Sequence, residues 1–175
     1  GAEEAMAFAS GMGALATTVL TFCSAGSHIV APRQLYAGTL ALLQGHFSRF
    51  GIETTLVDGT RPGAFTEAVQ PGRTTLVLAE TPSNPVTEVA DIAALADIAK
   101  KAGATLAIDN CMCSPALQKP IEFGADLVIH SATKYLDGQG RVLAGAIAGR
   151  ADLVNGPYGQ ILAIVWRSPV WATTP

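Results

Sequence analysis

A lysine with two hydroxyl residues beside it follows one of the most apolar runs of this sequence. The run "DLVIH" leads into Ser131, Thr133 and Lys134, and two glycines follow within "YLDGQGR". A lysine amine can form a covalent bond to a carbonyl carbon, and nearby hydroxyl groups can hold an anion. These residue types therefore predict covalent or anion-binding chemistry at the end of a buried strand.

Polar residues also follow two other apolar runs. Glu80 and Asn84 follow "TTLVLA", and Asp109 follows "ATLAI". In an open parallel sheet the carboxyl ends of the strands meet at one edge, where ligands bind. Asp109 and Lys134 are therefore expected at the same edge, either as an electrostatic site or as a buried structural ion pair, which alone is the commoner case.

Glycines near the amino terminus predict a phosphate-binding helix start. In "ASGMGALA" they precede an apolar stretch of helical length, and the free N–H groups of a helix start bind phosphate. Gly11, Gly13 and Ala16 also satisfy a dinucleotide-binding pattern, but that pattern requires an acidic residue about 20 positions later. None occurs between Glu4 and Glu53, and "EEAMAFAS" resembles a helix more than a strand, so we reject the nicotinamide interpretation.

An aromatic residue completes a possible cofactor pocket. Tyr36 follows the short apolar run "HIVAP" and could stack on a planar ring or simply pack in the core. Ser131 and Thr133 could bind a phosphate or only cap the strand end. With Lys134 to condense with an aldehyde and Asp109 to pair with a pyridinium nitrogen, the set predicts a pocket for pyridoxal 5'-phosphate.

Composition indicates a compact protein without affinity for polyanions. The chain has 175 residues, 49% hydrophobic and 14% charged, with 14 acidic and 11 basic residues and no basic cluster. Nucleic acid and anionic membranes are therefore not expected as partners. No apolar run approaches the roughly 18 residues of a membrane helix. Three cysteines without finger-like spacing predict a reducing, cytoplasmic location and no metal site.

Strand-like and helix-like segments alternate along the chain. The strands are continuously apolar, as in a parallel sheet covered on both faces, so we predict an α/β fold with a mostly parallel sheet and helices on both faces. The predicted strands are 28–32, 52–58, 74–80, 104–109 and 125–131. The predicted helices are 13–24, 39–51, 63–72 and 91–103.

Four stretches resemble the cysteine/methionine-metabolism family of pyridoxal-phosphate enzymes: "GAEEAMAFASGMGAL", "ETPSNPVTEVADI", "IDNCMCSPALQKPIEFGAD" and "DLVIHSATKYLDGQG". The likeness covers roughly residues 1–149. It implies the central part of the large cofactor domain of the aspartate-aminotransferase-like (fold type I) enzymes. Residues 150–175 are expected to be a divergent or truncated tail, and the family's small carboxyl-terminal domain to be absent.

The resemblance also implies individual roles. Lys134 and Tyr36 are the expected catalytic residues: Lys134 would hold the cofactor and shuttle protons, and Tyr36 would stack on the ring. Asp109 would keep the ring nitrogen protonated, and Asn84 would contact the ring hydroxyl or the substrate. The phosphate would be bound by two backbone amides and two hydroxyl groups, those of Gly11, Met12, Ser131 and Thr133.

Within this family, "HSATKYLDGQGR" looks most like the O-succinylhomoserine sulfhydrylases. The resemblance thus implies replacement of the γ-succinyl group of O-succinylhomoserine by sulfide, giving homocysteine, in a homo-oligomer expected to be a tetramer built of dimers. Cystathionine γ-synthase, cystathionine γ-lyase and methionine γ-lyase activities remain alternatives. A non-catalytic remnant remains one as well.

Overall fold

A seven-stranded sheet forms the centre of the molecule, which a computed structural model describes over residues 1–154. Across the sheet the strands follow the order β1-β7-β6-β5-β4-β2-β3. Strands β2 to β6 pair in parallel, while β7 is antiparallel to both β1 and β6. The strands are β1 (Glu4–Phe8), β2 (His28–Pro32), β3 (Glu53–Val57), β4 (Thr74–Glu80), β5 (Thr105–Asp109), β6 (Leu127–Ser131) and β7 (Gly145–Gly149).

Five α-helices and several short turns connect these strands. The helices are α1 (Gly11–Phe22), α2 (Ala37–Ala41), α3 (Pro62–Ala68), α4 (Ile92–Ala102) and α5 (Ala151–Val154). The shorter helical turns are Leu42–His46, Phe47–Phe50, Pro120–Phe123 and Ala132–Leu136. Within the described range, every helix is too short or too polar to cross a lipid bilayer.

Helix α4 illustrates how local sequence sets these boundaries. The Asp91 side chain accepts the N–H of Ala94 at 3.0 Å and so caps the first turn. Gly103 ends the helix in the left-handed conformation, with φ of 68°, which costs glycine little because it has no Cβ. Leu95 and Ala99 are buried and attach the helix to the sheet.

The core lies on both faces of the sheet. One cluster joins the sheet to α1 through residues such as Leu15 and Val19. The other joins the opposite face to α3 and α4 through residues such as Phe65 and Leu95. The prediction of a mostly parallel sheet with helices on both faces is therefore confirmed.

Two strands at one edge differ from the sequence analysis. The segment "EEAMAFAS" (residues 3–10), which was expected to be helical, contains β1. Its antiparallel pairing with β7 outweighs the helix propensity of its Glu, Ala and Met residues. Strand β7 was not predicted, since its "GAIAG" sequence has almost no β-branched residues. Small residues are required there, because a Cβ at Gly145 would collide with the backbone of Ser10, and one at Gly149 with that of Asp126.

A substitution at Gly145 tests this close packing. We expect Gly145→Ala to lower the free energy of unfolding by about 1–3 kcal/mol, because the added methyl group meets backbone atoms that cannot move aside cheaply. Gly63→Ala is the matched control, since a Cβ at this exposed position in α3 meets nothing within 4 Å. Urea denaturation of both variants measures the effect, and equal stabilities would contradict this packing.

Candidate functional site

Three neighbouring strands end at the same edge of the sheet and carry polar residues there. The Cα of Glu80 at the end of β4 is paired with that of Asp109 at the end of β5. The next strand, β6, is paired so that Ile129 lies opposite Asp109 and Ser131 lies just beyond it. The structure therefore brings Asp109 and Ser131 to one edge, as the order of the apolar runs predicted.

Asp109 presents a carboxylate with one oxygen available. Its Oδ1 accepts the backbone N–H of Cys111 at 3.0 Å. Its Oδ2 has no hydrogen-bond partner within residues 1–154. Burial raises the pKa of Asp109, and the Cys111 contacts oppose that rise only in part. No ion pair joins Asp109 to Lys134 in this part of the chain, so a structural pair does not account for the two residues.

The start of helix α1 has two free backbone donors facing β6. Ser10 caps the helix, and its side-chain oxygen accepts the N–H of Gly13 at 3.0 Å. Within residues 1–154, the N–H groups of Gly11 and Met12 have no acceptor. A Cβ added to Gly11 would lie 2.7 Å from that of Ser131, so these residues are in direct contact. Two amides and one hydroxyl group therefore meet where the sequence predicted a phosphate.

Lys134 lies in the helical turn Ala132–Leu136 that follows β6. Its backbone interrupts the turn with φ of −89° and ψ of −114°, and its side chain is exposed at the sheet edge. The hydroxyl group of Thr133 donates to the carbonyl oxygen of Ala144 at 3.2 Å and accepts its N–H at 3.1 Å. Because this donor is already used, Thr133 could donate to a phosphate only after releasing Ala144.

Tyr36 stands at the amino-terminal end of α2 with its side chain 47% exposed. This exposure argues against the alternative that Tyr36 packs in the core. Its backbone is held on both sides: its N–H donates to Glu80 Oε2 at 2.6 Å, and its carbonyl oxygen accepts the N–H of Thr39 at 2.9 Å. Asn84 is partly buried in the turn after β4, and its backbone N–H also faces the Glu80 carboxylate.

Two residues at this edge were given no role by the sequence analysis. Glu80 is only 4% exposed, and burial, with a smaller contribution from the charge of Asp109, raises its pKa to about 7. Cys111 accepts the N–H of Ser131 on its sulfur at 2.7 Å while its own N–H binds Asp109. Only their positions in the sequence could have indicated Glu80 and Cys111, because each lies at the end of a buried strand beside a predicted site residue.

These groups fit the cofactor that the sequence predicted. The free amides at α1 can bind a phosphate, and the free oxygen of Asp109 can accept a hydrogen bond from a protonated ring nitrogen. An exposed amine and an exposed aromatic ring lie on segments that follow β6 and β2. Within residues 1–154, no group of three or more His, Cys, Asp or Glu residues could hold a metal ion.

Comparisons with known proteins agree with this arrangement. Residues 1–160 match a family model described as Cys/Met metabolism PLP-dependent enzyme. An O-succinylhomoserine sulfhydrylase from Pseudomonas aeruginosa is 49% identical over 91% of this chain and 39% of its own length. An L-methionine gamma-lyase from Porphyromonas gingivalis is 44% identical over 89% of this chain and 39% of its own length.

A solved structure confirms the fold type I class that the sequence predicted. The crystal structure of metB from Corynebacterium glutamicum has a TM-score of 0.88 and 33% identity, covering 93% of this chain and 41% of that one. The chain therefore spans about two fifths of the length of the relatives that it matches.

The buried carboxylate of Glu80 predicts a specific pH dependence of stability. Its folded pKa, raised from 4.5 to about 7, means that the folded protein binds this proton more tightly than the unfolded chain does. The resulting stability is complete below the unfolded pKa and is lost as the pH rises through the folded pKa. In the cofactor-free protein, we expect wild type to lose on the order of 2–3 kcal/mol relative to Glu80→Gln between about pH 4.5 and about pH 8.

Urea denaturation of wild type and Glu80→Gln across this range measures the difference. Other titrating groups are common to both proteins and cancel from it. Glu53→Gln is a matched control of the opposite sign, because its hydrogen bond with Arg73 lowers the pKa of Glu53. A difference between wild type and Glu80→Gln that stays constant with pH would contradict the assignment.

Proposed function

Because this chain belongs to the Cys/Met-metabolism family of pyridoxal-phosphate-dependent enzymes, we propose that it contributes the cofactor pocket of a trans-sulfuration enzyme. The proposed reaction replaces the γ-succinyl group of O-succinylhomoserine with sulfide, giving homocysteine and succinate. The observation that supports this choice is the 49% identity with an O-succinylhomoserine sulfhydrylase over 91% of the chain. We propose this reaction for the whole protein to which these residues belong.

The proposed pocket binds the cofactor at its phosphate and at its ring nitrogen. The N–H groups of Gly11 and Met12 and the hydroxyl group of Ser131 would hold the phosphate, favoured by the positive end of the α1 dipole. Asp109 Oδ2 would accept the N–H of the ring nitrogen at the opposite end of the ring. The hydroxyl group of Thr133 would join the phosphate-binding groups after it releases the carbonyl oxygen of Ala144.

The chain's own residues position the substrate and move its protons. When bound, pyridoxal phosphate supplies an aldehyde for the substrate amine and a ring that takes up the electrons of the α-carbon. In the proposed mechanism Lys134 removes the proton from the α-carbon. Its exposed amine lies on the turn that follows β6, at the sheet edge where Asp109 also lies. Asp109 keeps the ring nitrogen protonated, Tyr36 covers the ring face, and Asn84 contacts the ring hydroxyl or the substrate.

The exchange at the γ-carbon balances with the reactants named. Loss of a proton from the β-carbon to Lys134 then allows the C–O bond at the γ-carbon to break, and succinate leaves with the bonding electron pair. Hydrosulfide forms a C–S bond at the γ-carbon, and one proton returns to the β-carbon and one to the α-carbon. Pocket shape around the incoming thiol decides between sulfide and cysteine, because both would enter by the same steps.

We further propose a cytoplasmic homo-oligomer. Large apolar side chains are exposed close to the predicted lysine, including Leu136 at 44% and Leu143 at 73%. Large exposed apolar side chains are consistent with a surface that another protein covers. A tetramer built of dimers is the expected assembly.

The substrate proposal is tested by comparing acceptors. We expect the purified protein, loaded with pyridoxal phosphate, to convert O-succinylhomoserine faster with sulfide than with cysteine, with homocysteine and cystathionine measured by chromatography. Lys134→Ala should lower the rate by at least about a hundredfold, because the proton-transfer group is lost. A preference for cysteine would support a γ-synthase instead, and release of a thiol from methionine would favour the γ-lyase activity named for the Porphyromonas gingivalis relative.

A further inference from the structure

We propose that Glu80 is a positioning residue that holds the backbone of Tyr36, and through it the aromatic ring, over the cofactor site. The inference rests on the proposed function for its purpose, because Tyr36 matters only if a planar ring binds beside it. The interaction itself joins two residues of the chain.

Among residues 1–154, one hydrogen bond connects the end of β4 with the start of α2, and it joins Glu80 to Tyr36. The Tyr36 N–H donates to Glu80 Oε2 at 2.6 Å, which is short for such a bond. The partners lie 44 positions apart in the chain. The bond therefore fixes a loop to the sheet, and local sequence does not impose it.

Both backbone polar groups of Tyr36 have partners once this bond is made. Its carbonyl oxygen already accepts the N–H groups of Thr39 at 2.9 Å and Leu40 at 3.1 Å in the first turn of α2. With its N–H held by Glu80, both polar groups of the peptide backbone at Tyr36 are fixed. The direction in which the exposed side chain leaves the backbone is fixed with them.

The Glu80 carboxylate is buried, so it acts as a hydrogen-bond acceptor within the protein and not as a surface charge. The residue is 4% exposed and follows the fully apolar centre of β4, so water cannot replace a lost partner cheaply. The backbone N–H of Asn84 faces the same carboxylate. Three titratable groups face it: Asp109 and Cys111 from the end of β5, and Glu88 from the cleft that Glu80 also lines.

Two substitutions separate the hydrogen bond from the charge. Glu80→Gln keeps an acceptor oxygen at similar length but removes the charge, whereas Glu80→Met keeps the length and removes the acceptor. Glu88→Gln is the matched control, because it removes a carboxylate that lines the same cleft. Circular dichroism and thermal unfolding of the cofactor-free proteins verify that each variant is folded.

The first measurement follows the Tyr36 amide proton by NMR in the cofactor-free protein. We expect slow exchange in wild type, Glu80→Gln and Glu88→Gln, and exchange at least about tenfold faster in Glu80→Met. In wild type the chemical shift of this proton should change with pH as Glu80 titrates near 7, and this change should vanish in Glu80→Gln. If exchange in Glu80→Met equals that of wild type, the inference is wrong.

The same variants give a cofactor readout that is independent of turnover. We expect Glu80→Met to bind pyridoxal phosphate about tenfold more weakly and to change the circular dichroism of its absorption band, with Glu80→Gln close to wild type. If Glu80→Met does not fold, the pH response of the Tyr36 amide in Glu80→Gln decides, and a response like that of wild type overturns the inference. Failure of wild type to bind the cofactor would instead contradict the proposed function and leave the NMR result standing.

Discussion

The parallel pairing of β4, β5 and β6 determines where this protein can place its polar chemistry. These strands are buried on both faces, so a charged side chain within them would lose its hydration without a partner. At the carboxyl ends of the strands such side chains can reach another group. The register then brings Glu80, Asp109 and Ser131 together, although they are far apart in sequence.

Close packing of backbone segments forms the part of the proposed site that binds the phosphate. Helix α1 can begin beside the end of β6 only because Gly11 has no Cβ to collide with Ser131. Strand β7 approaches the same helix start because Gly145 leaves room for the backbone of Ser10. The small residues that make β7 a poor strand by propensity are therefore those that let an anion site form at α1.

Sequence reasoning predicted the parts of this fold that local pattern controls. The bounds predicted for β2 and β4 agree with the structure, and α4 lies within the predicted range 91–103. Sequence reasoning failed for β1 and β7, because the conformation of these two strands depends on their pairing with each other. The carboxyl ends of the strands correctly located Asp109 and Ser131, but the bond from Tyr36 to Glu80 spans 44 positions and could not be inferred from spacing.

The central claim is that Lys134 and Asp109 contact opposite ends of one cofactor ring. Its most direct test is a crystal structure of the protein after it has bound pyridoxal phosphate and been reduced with borohydride. The account predicts a covalent bond from the cofactor to Lys134 Nζ, a ring nitrogen about 3 Å from Asp109 Oδ2, and a phosphate on the Gly11 and Met12 amides. A cofactor attached to another lysine, or a ring nitrogen turned away from Asp109, would contradict it.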